Sequence, residues 1–99
     1  SDRLVQKFVL KYLKDPNFDL LCTAMQQKDY EEAFRAAHTI KGMCQNLSFT
    51  QLLKSSSELA EALRYGWTPQ ADKQMEQVRT DQLTVTEAIR AFSEECEGQ

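Results

Sequence analysis

DYEEAFRAAHTIKGMCQNL, residues 29–47, is the stretch whose period decides the fold. At about 100° of rotation per residue, Tyr30, Ala33, Ala37, Ile40, Cys44 and Leu47 fall on one side of a helix. Glu31, Arg35, His38, Lys41, Gly42 and Gln45 fall on the other, with Phe34 between the two faces. The first set is a core stripe and the second is a face turned to water. Asp29 is placed to cap this helix. Glu32, three residues on, gives a pattern like a capping box, and Glu31 and Glu32 suit the positive end of the helix dipole.

Working outward, turn signals stand at 14–17 (KDPN), 27–29 (QKD), 46–49 (NLSF) and 65–70 (YGWTPQ). They divide the chain into five helical segments. The first, near 2–14, aligns Leu4, Phe8, Val9 and Tyr12 or Leu13. The second, near 17–27, aligns Phe18, Leu21, Cys22 and Met25, with Asn17 or Asp15 as its cap and Pro16 near its start. The histidine helix is third. A fourth runs from Ser48 or Thr50 to Tyr65, with Leu52, Leu53, Leu59 and Leu63 as core positions and Gly66 as its stop. The fifth, near 69–95, places Met75, Val78, Leu83 or Val85, Ala88, Ile89 and Phe92 inward. The serines at 55–57 lie mid-helix and mark close packing or an exposed face.

No stretch alternates with period two for long enough to make a strand. Short links between long helices imply antiparallel neighbours. The expected fold is all-α: an up-down antiparallel four-helix bundle with an additional short N-terminal helix, forming one domain over residues 1–99.

Composition narrows the function. A net charge of -3 and a pI of about 5.1 argue against a nucleic-acid surface. No apolar run approaches the roughly 18 residues that span a bilayer, so no membrane contact by this domain is expected. Cys22, Cys44 and Cys96 are odd in number and lack a C-x-x-C pair, and His38 is the single histidine, so no metal site is expected. The cysteines read as reduced and the compartment as cytoplasmic. Cys22 and Cys44 read as small core residues, and Cys96 as a thiol in a polar tail. The chain starts at Ser1 rather than Met, which fits a domain cut from a longer protein.

The water-facing side of the third helix is where chemistry is expected. A core histidine is explained by one satisfied hydrogen bond, but His38 lies roughly 120° from the centre of the core stripe. Arg35 and Lys41 flank it at one turn either side. Gly42 adds a mid-helix glycine that costs about 1 kcal/mol relative to alanine. A neutral imidazole nitrogen is a nucleophile. Lys41 is suited to stabilising a transferring phosphoryl group, because such transfer rests mainly on positioning and electrostatics. Gly42 leaves room for another surface to approach. The plain readings are a solvated lysine, a tolerated glycine, and an Arg35 paired with Glu31 or Glu32 along the helix.

These residues resemble a known family. AAHTIKGMCQNLSFTQLL, residues 36–53, is similar to the signature of histidine-containing phosphotransfer (HPt) domains. There the histidine is followed by lysine at +3, glycine at +4, and an apolar and a small residue at +9 and +10. Here these are His38, Lys41, Gly42, Leu47 and Ser48. KDYEEAFRAAH, residues 28–38, also matches the family's entry into this helix, and the likeness spans essentially the whole chain. Two positions depart from the pattern. Ser48 stands where the family usually has glycine, which suggests that it caps the following helix. Ala60 falls near the position of a polar residue that bonds the histidine in many members. Ser56, Ser57 or Gln45 are the available substitutes.

The resemblance implies that His38 accepts a phosphoryl group on Nε2 from a receiver-domain aspartyl phosphate and passes it to another receiver's aspartate. Lys41, Gly42, Gln45 and Arg35 would support it, and Phe34 and Phe49 would dock response-regulator receiver domains. No cofactor is implied beyond Mg²⁺ supplied by the receiver. The chain has no P-loop or kinase-like glycine motif, so a sensor histidine kinase would be fused to the domain or would serve it. A monomer is expected. The alternatives are an adaptor bundle that has lost phosphotransfer, and the phosphoryl-accepting domain of a larger chemotaxis-type kinase.

Overall fold

The structure, a computed structural model, describes the backbone of residues 2–97 and the side chains of residues 3–94. It is a helical bundle with no strand among the described residues. Its elements are α1 (Asp2–Leu13), α2 (Asn17–Gln26), α3 (Tyr30–Leu47), α4 (Thr50–Leu63) and α5 (Pro69–Glu97). The bundle is elongated, 47 × 21 × 18 Å. Helices adjacent in sequence pack together from α2 to α5, and α1 lies against α5 and α3. Long side chains join α2 to α5, where Arg79 Nη1 stands 3.5 Å from Cys22 Sγ.

The caps follow from local chemistry. Pro16 precedes α2, and the Asp15 carboxylate accepts the Asn17 backbone N–H at 2.8 Å and its side-chain amide at 2.7 Å. The end of α2 closes with Lys28 in the left-handed region, φ 60°. The Lys28 and Asp29 N–H groups donate to the Met25 and Ala24 carbonyls, which is the Schellman arrangement. Asp29 caps α3 as expected, accepting from the Glu32 N–H at 3.2 Å. The reciprocal half of a capping box is not made, because the Glu32 carboxylate pairs with Arg35 at 3.0 Å.

Ala33, Ala36, Ala37, Ile40 and Cys44 form the buried stripe of α3, with Tyr30 and Leu47 partly covered at its ends. They pack with Leu21 and Ala24 of α2 and with Leu52, Ser56, Leu59, Ala60 and Leu63 of α4, while Ser55 is buried on the side of α4 that borders α5. The buried serines satisfy their hydroxyls locally, Ser55 on the Leu52 carbonyl and Ser56 on the Leu52 and Leu53 carbonyls. Of the serine readings, close packing therefore holds for Ser55 and Ser56, and small residues let α4 approach its neighbours α3 and α5. Ala71 and Asp81 of α5 are also buried, and Asp81 accepts from the Gln77 side-chain amide at 3.0 Å.

Four expectations need correction. In α1 only Val9 and Tyr12 are buried; Leu4 and Phe8 are 53% and 49% exposed. A helix held by α5 and one end of α3 has too narrow a contact to cover its whole apolar side. On α5, Leu83 is exposed and Val85 takes the inward position, while Ala88 is exposed beside buried Ile89. Past the reach of the much shorter α4, α5 is covered by α1, and only the Val85–Ile89–Phe92 row turns inward. Cys22 is only partly buried, unlike Cys44. The Cys96 side chain lies outside the described residues.

The fourth correction is Ser48. It does not cap α4; Phe49 precedes that helix. Ser48 ends α3 in the left-handed region, φ 61° and ψ 33°, and the N–H groups of Ser48 and Phe49 both return to the Cys44 carbonyl. The turn therefore closes in the geometry a glycine would adopt, with a serine in it. A left-handed L-residue costs roughly 1–2 kcal/mol, offset in part by the greater unfolded-state freedom of glycine. Ser48→Gly is expected to stabilise the fold by about 0.5–1 kcal/mol and Ser48→Val to destabilise it, read by thermal or urea unfolding.

Candidate functional site

With the alanine-rich stripe of α3 buried, rotation along the helix carries His38 to the surface. The imidazole is exposed. Gln45 is also exposed, and Lys41 and Gly42 are half-buried beside it on the same face. Arg35 is exposed, but its guanidinium pairs with Glu32 at 3.0 Å and so is directed away from the histidine. The Thr39 hydroxyl donates to the Arg35 carbonyl at 3.0 Å.

Among the described residues, no hydrogen bond reaches the imidazole. Of the sequence candidates for that bond, the Ser56 hydroxyl donates to the Leu52 carbonyl at 2.6 Å and the Ser57 hydroxyl to the Leu53 carbonyl at 2.7 Å. In mid-helix a serine hydroxyl readily satisfies itself on the carbonyl one turn back. Ala60 is buried and apolar. Gln45 makes no hydrogen bond to the ring either. What does touch His38 is Phe34, whose ring stacks on it with centroids 6.0 Å apart and planes inclined by 25°.

Gly42 raises the question of whether packing forbids a larger residue. A Cβ built there meets nothing within 4 Å. Its backbone is ordinary helix. Nothing inside the bundle therefore requires this glycine, and the room it leaves is on the outside.

Phe49, paired with Phe34 as a docking residue on sequence grounds, is placed differently. Its ring packs edge-on against Tyr12, centroids 5.3 Å apart and planes at 73°. The Tyr12 hydroxyl donates to Gln82 Oε1, and burial pushes the phenol well above its ordinary range, the nearby Cys44 and Asp15 adding to the effect. Tyr12 thus ties α1 to α5 and to the α3–α4 turn. Beside it, Phe8, Lys11, Asp15, Met43 and Asn46 line an apolar groove of about 400 Å³ between α1 and α3. Sequence reasoning missed this groove, because its lining comes from two helices joined only in space.

The remaining reactive side chains are quiet. Burial pushes the Cys44 thiol up to about 12 and raises that of Cys22, the latter opposed by the Arg79 guanidinium. Both are protonated at neutral pH, and thiols are weak nucleophiles in that form. No group of three histidine, cysteine or carboxylate side chains converges to hold a metal among the described residues. No described helix is long and apolar enough to cross a membrane.

A protein-family model described as the Hpt domain matches residues 15–95. No curated protein and no solved structure matches. The matched span begins just after α1 and includes the whole histidine helix.

The open space at Gly42 gives a stability prediction. Gly42→Ala is expected to stabilise the fold by about 1 kcal/mol, the helix-propensity difference with no clash to offset it, read as a shifted urea midpoint at unchanged m-value.

Proposed function

This chain belongs to the Hpt domain family, and on that premise we propose that His38 is its phosphoryl carrier. Membership implies phosphotransfer within a phosphorelay and interaction with receiver domains. The finer reading is that His38 takes the phosphoryl group from one receiver's aspartyl phosphate and gives it to another receiver's aspartate. The observation that carries it is that the single histidine stands on the exposed face of α3 with both ring nitrogens free of hydrogen bonds among the described residues.

In the forward step a nitrogen lone pair forms the P–N bond as the acyl P–O bond breaks, and the aspartate carboxylate leaves. The reverse step restores the acyl phosphate on the next receiver. On the family's pattern the attacking atom is Nε2. Little covalent help is needed from the protein, because positioning and charge do most of the work in phosphoryl transfer. Lys41 supplies positive charge on the histidine face and makes no ion pair among the described residues. Gly42 supplies clearance for the approaching receiver, and Gln45 borders the same surface. Arg35, held by Glu32, serves the local charge balance rather than the phosphate. The Mg²⁺ belongs to the receiver, and ATP is used elsewhere in the relay. The domain acts as a cytoplasmic monomer in this reading.

Label transfer from a phosphorylated receiver tests the proposal. Wild-type protein is expected to take up acid-labile label, and His38→Gln to take up none while keeping its helical circular dichroism and melting temperature. A wild type that stays unlabelled with a panel of receivers favours the adaptor reading instead. Gly42→Gln is expected to slow transfer at least about tenfold without loss of stability, and Lys41→Ala to slow it by about tenfold. Unchanged transfer in Gly42→Gln would remove the clearance argument. A lowered melting temperature in Lys41→Ala would mark that lysine as structural.

A further inference from the structure

The histidine has no polar partner, yet it has a neighbour. Phe34 sits one turn before it, and the 6.0 Å centroid separation and 25° tilt fall within the range of offset stacking. The two rings differ in how they are held. Phe34 is half-buried and packed against the core, whereas His38 is exposed. The nearby hydroxyls and the Arg35 guanidinium, which could steer an imidazole by hydrogen bonding, are engaged elsewhere, and neither Lys41 nor Gln45 on the same face bonds to the ring among the described residues. Ser56 and Ser57 bond to carbonyls of their own helix, Thr39 bonds to Arg35, Arg35 pairs with Glu32, and Ala60 has nothing to offer.

We propose that Phe34 is a positioning residue: its core-anchored ring holds the imidazole by stacking, in place of a hydrogen bond, and so fixes which ring nitrogen meets the phosphoryl donor. The proposal rests on the reading of His38 as the carrier. The imidazole hangs on two rotatable bonds. Nδ1 is bonded to Cγ and lies nearest the helix, whereas Nε2 is at the far edge. A ring pressed along one face against Phe34 keeps a single orientation, with the far edge presented. A ring without that support samples several orientations and must be ordered at each encounter. Ordering one side chain on docking costs about two- to tenfold in rate. Phe34 therefore leaves the docking role and becomes part of the histidine's own support.

The test uses the intact domain, Phe34→Leu, which removes the aromatic ring, and Phe34→Tyr, which keeps it. The His38 ring protons in wild type and Phe34→Tyr are expected to be displaced from free-histidine positions by the neighbouring ring current, and in Phe34→Leu to return toward them. Phosphoramidate is then supplied as a donor that needs no docking surface. An imidazole nitrogen forms the new P–N bond as the P–N bond to ammonia breaks; ammonia leaves, and the other ring nitrogen keeps its proton. Phosphorus NMR separates the two phosphohistidine isomers. One isomer, at Nε2, is expected in wild type and Phe34→Tyr, and a mixture in Phe34→Leu. Transfer from a phosphorylated receiver is expected to fall about two- to tenfold in Phe34→Leu and to recover in Phe34→Tyr.

Wild-type ring protons at free-histidine positions would overturn the proposal, and that measurement does not depend on any variant folding. An isomer ratio that is the same in Phe34→Leu and wild type would overturn it too. If receivers label no variant while the phosphoramidate isomer pattern follows the aromatic ring, the relay reading fails and the stacking assignment stands.

Discussion

Burial of five small or medium side chains on α3 is the constraint on which the rest depends. Ala33, Ala36, Ala37, Ile40 and Cys44 are sealed between α2 and α4. Close-packed interiors resist even methylene-sized changes, so the rotation of this helix about its axis is set. With the rotation set, His38 has one place to be. Its exposure is a consequence of what is buried opposite, and no separate device is needed to push it out. The partner helix cooperates by presenting Ser56 and Ala60, residues too small to hold α3 at a distance.

Much of this was legible in the residue order. The α3 stripe, the Asp29 cap, the stop near Gly66 and the solvent-facing histidine all follow from local periodicity and turn chemistry, which act over a few residues. What escaped the sequence depends on neighbours far along the chain. Leu4 and Phe8 carry a correct helical pattern, but how much of α1 is covered depends on where α5 and α3 end. The choice between Leu83 and Val85 is decided by whether α4 or α1 lies alongside. Ser48 was misplaced for a different reason: serine is a common cap and a rare left-handed residue, so propensity pointed to the wrong role.

The site itself is sparse, and that sparseness has a physical logic. A carrier that both accepts and donates gains nothing from holding the phosphoryl group tightly, because groups that stabilise the charged intermediate slow its departure. Here the imidazole is supported by an aromatic face rather than a network of donors, and the one cation committed to an ion pair beside it, Arg35, is directed to Glu32. In the proposed relay the machinery that makes the reaction directional resides in the receivers. The domain contributes a rigid post with a nucleophile on it.

The two left-handed residues, Lys28 and Ser48, stand immediately outside the two ends of α3's capped span. Each closes a tight turn whose backbone bonds leave no slack, so the helix between them has a fixed length. One residue inserted between Lys28 and His38 would swing the imidazole by about 100° around the axis, into the exposed position that Thr39 now holds, and would carry Ile40 and Cys44 off the buried stripe to the positions of Lys41 and Gln45. Lineages carrying this domain should therefore tolerate substitutions along α3 far more readily than changes in its length. Length variation should collect in the α4–α5 connection, where exposed Tyr65 and the positive-φ Gly66 mark a looser turn.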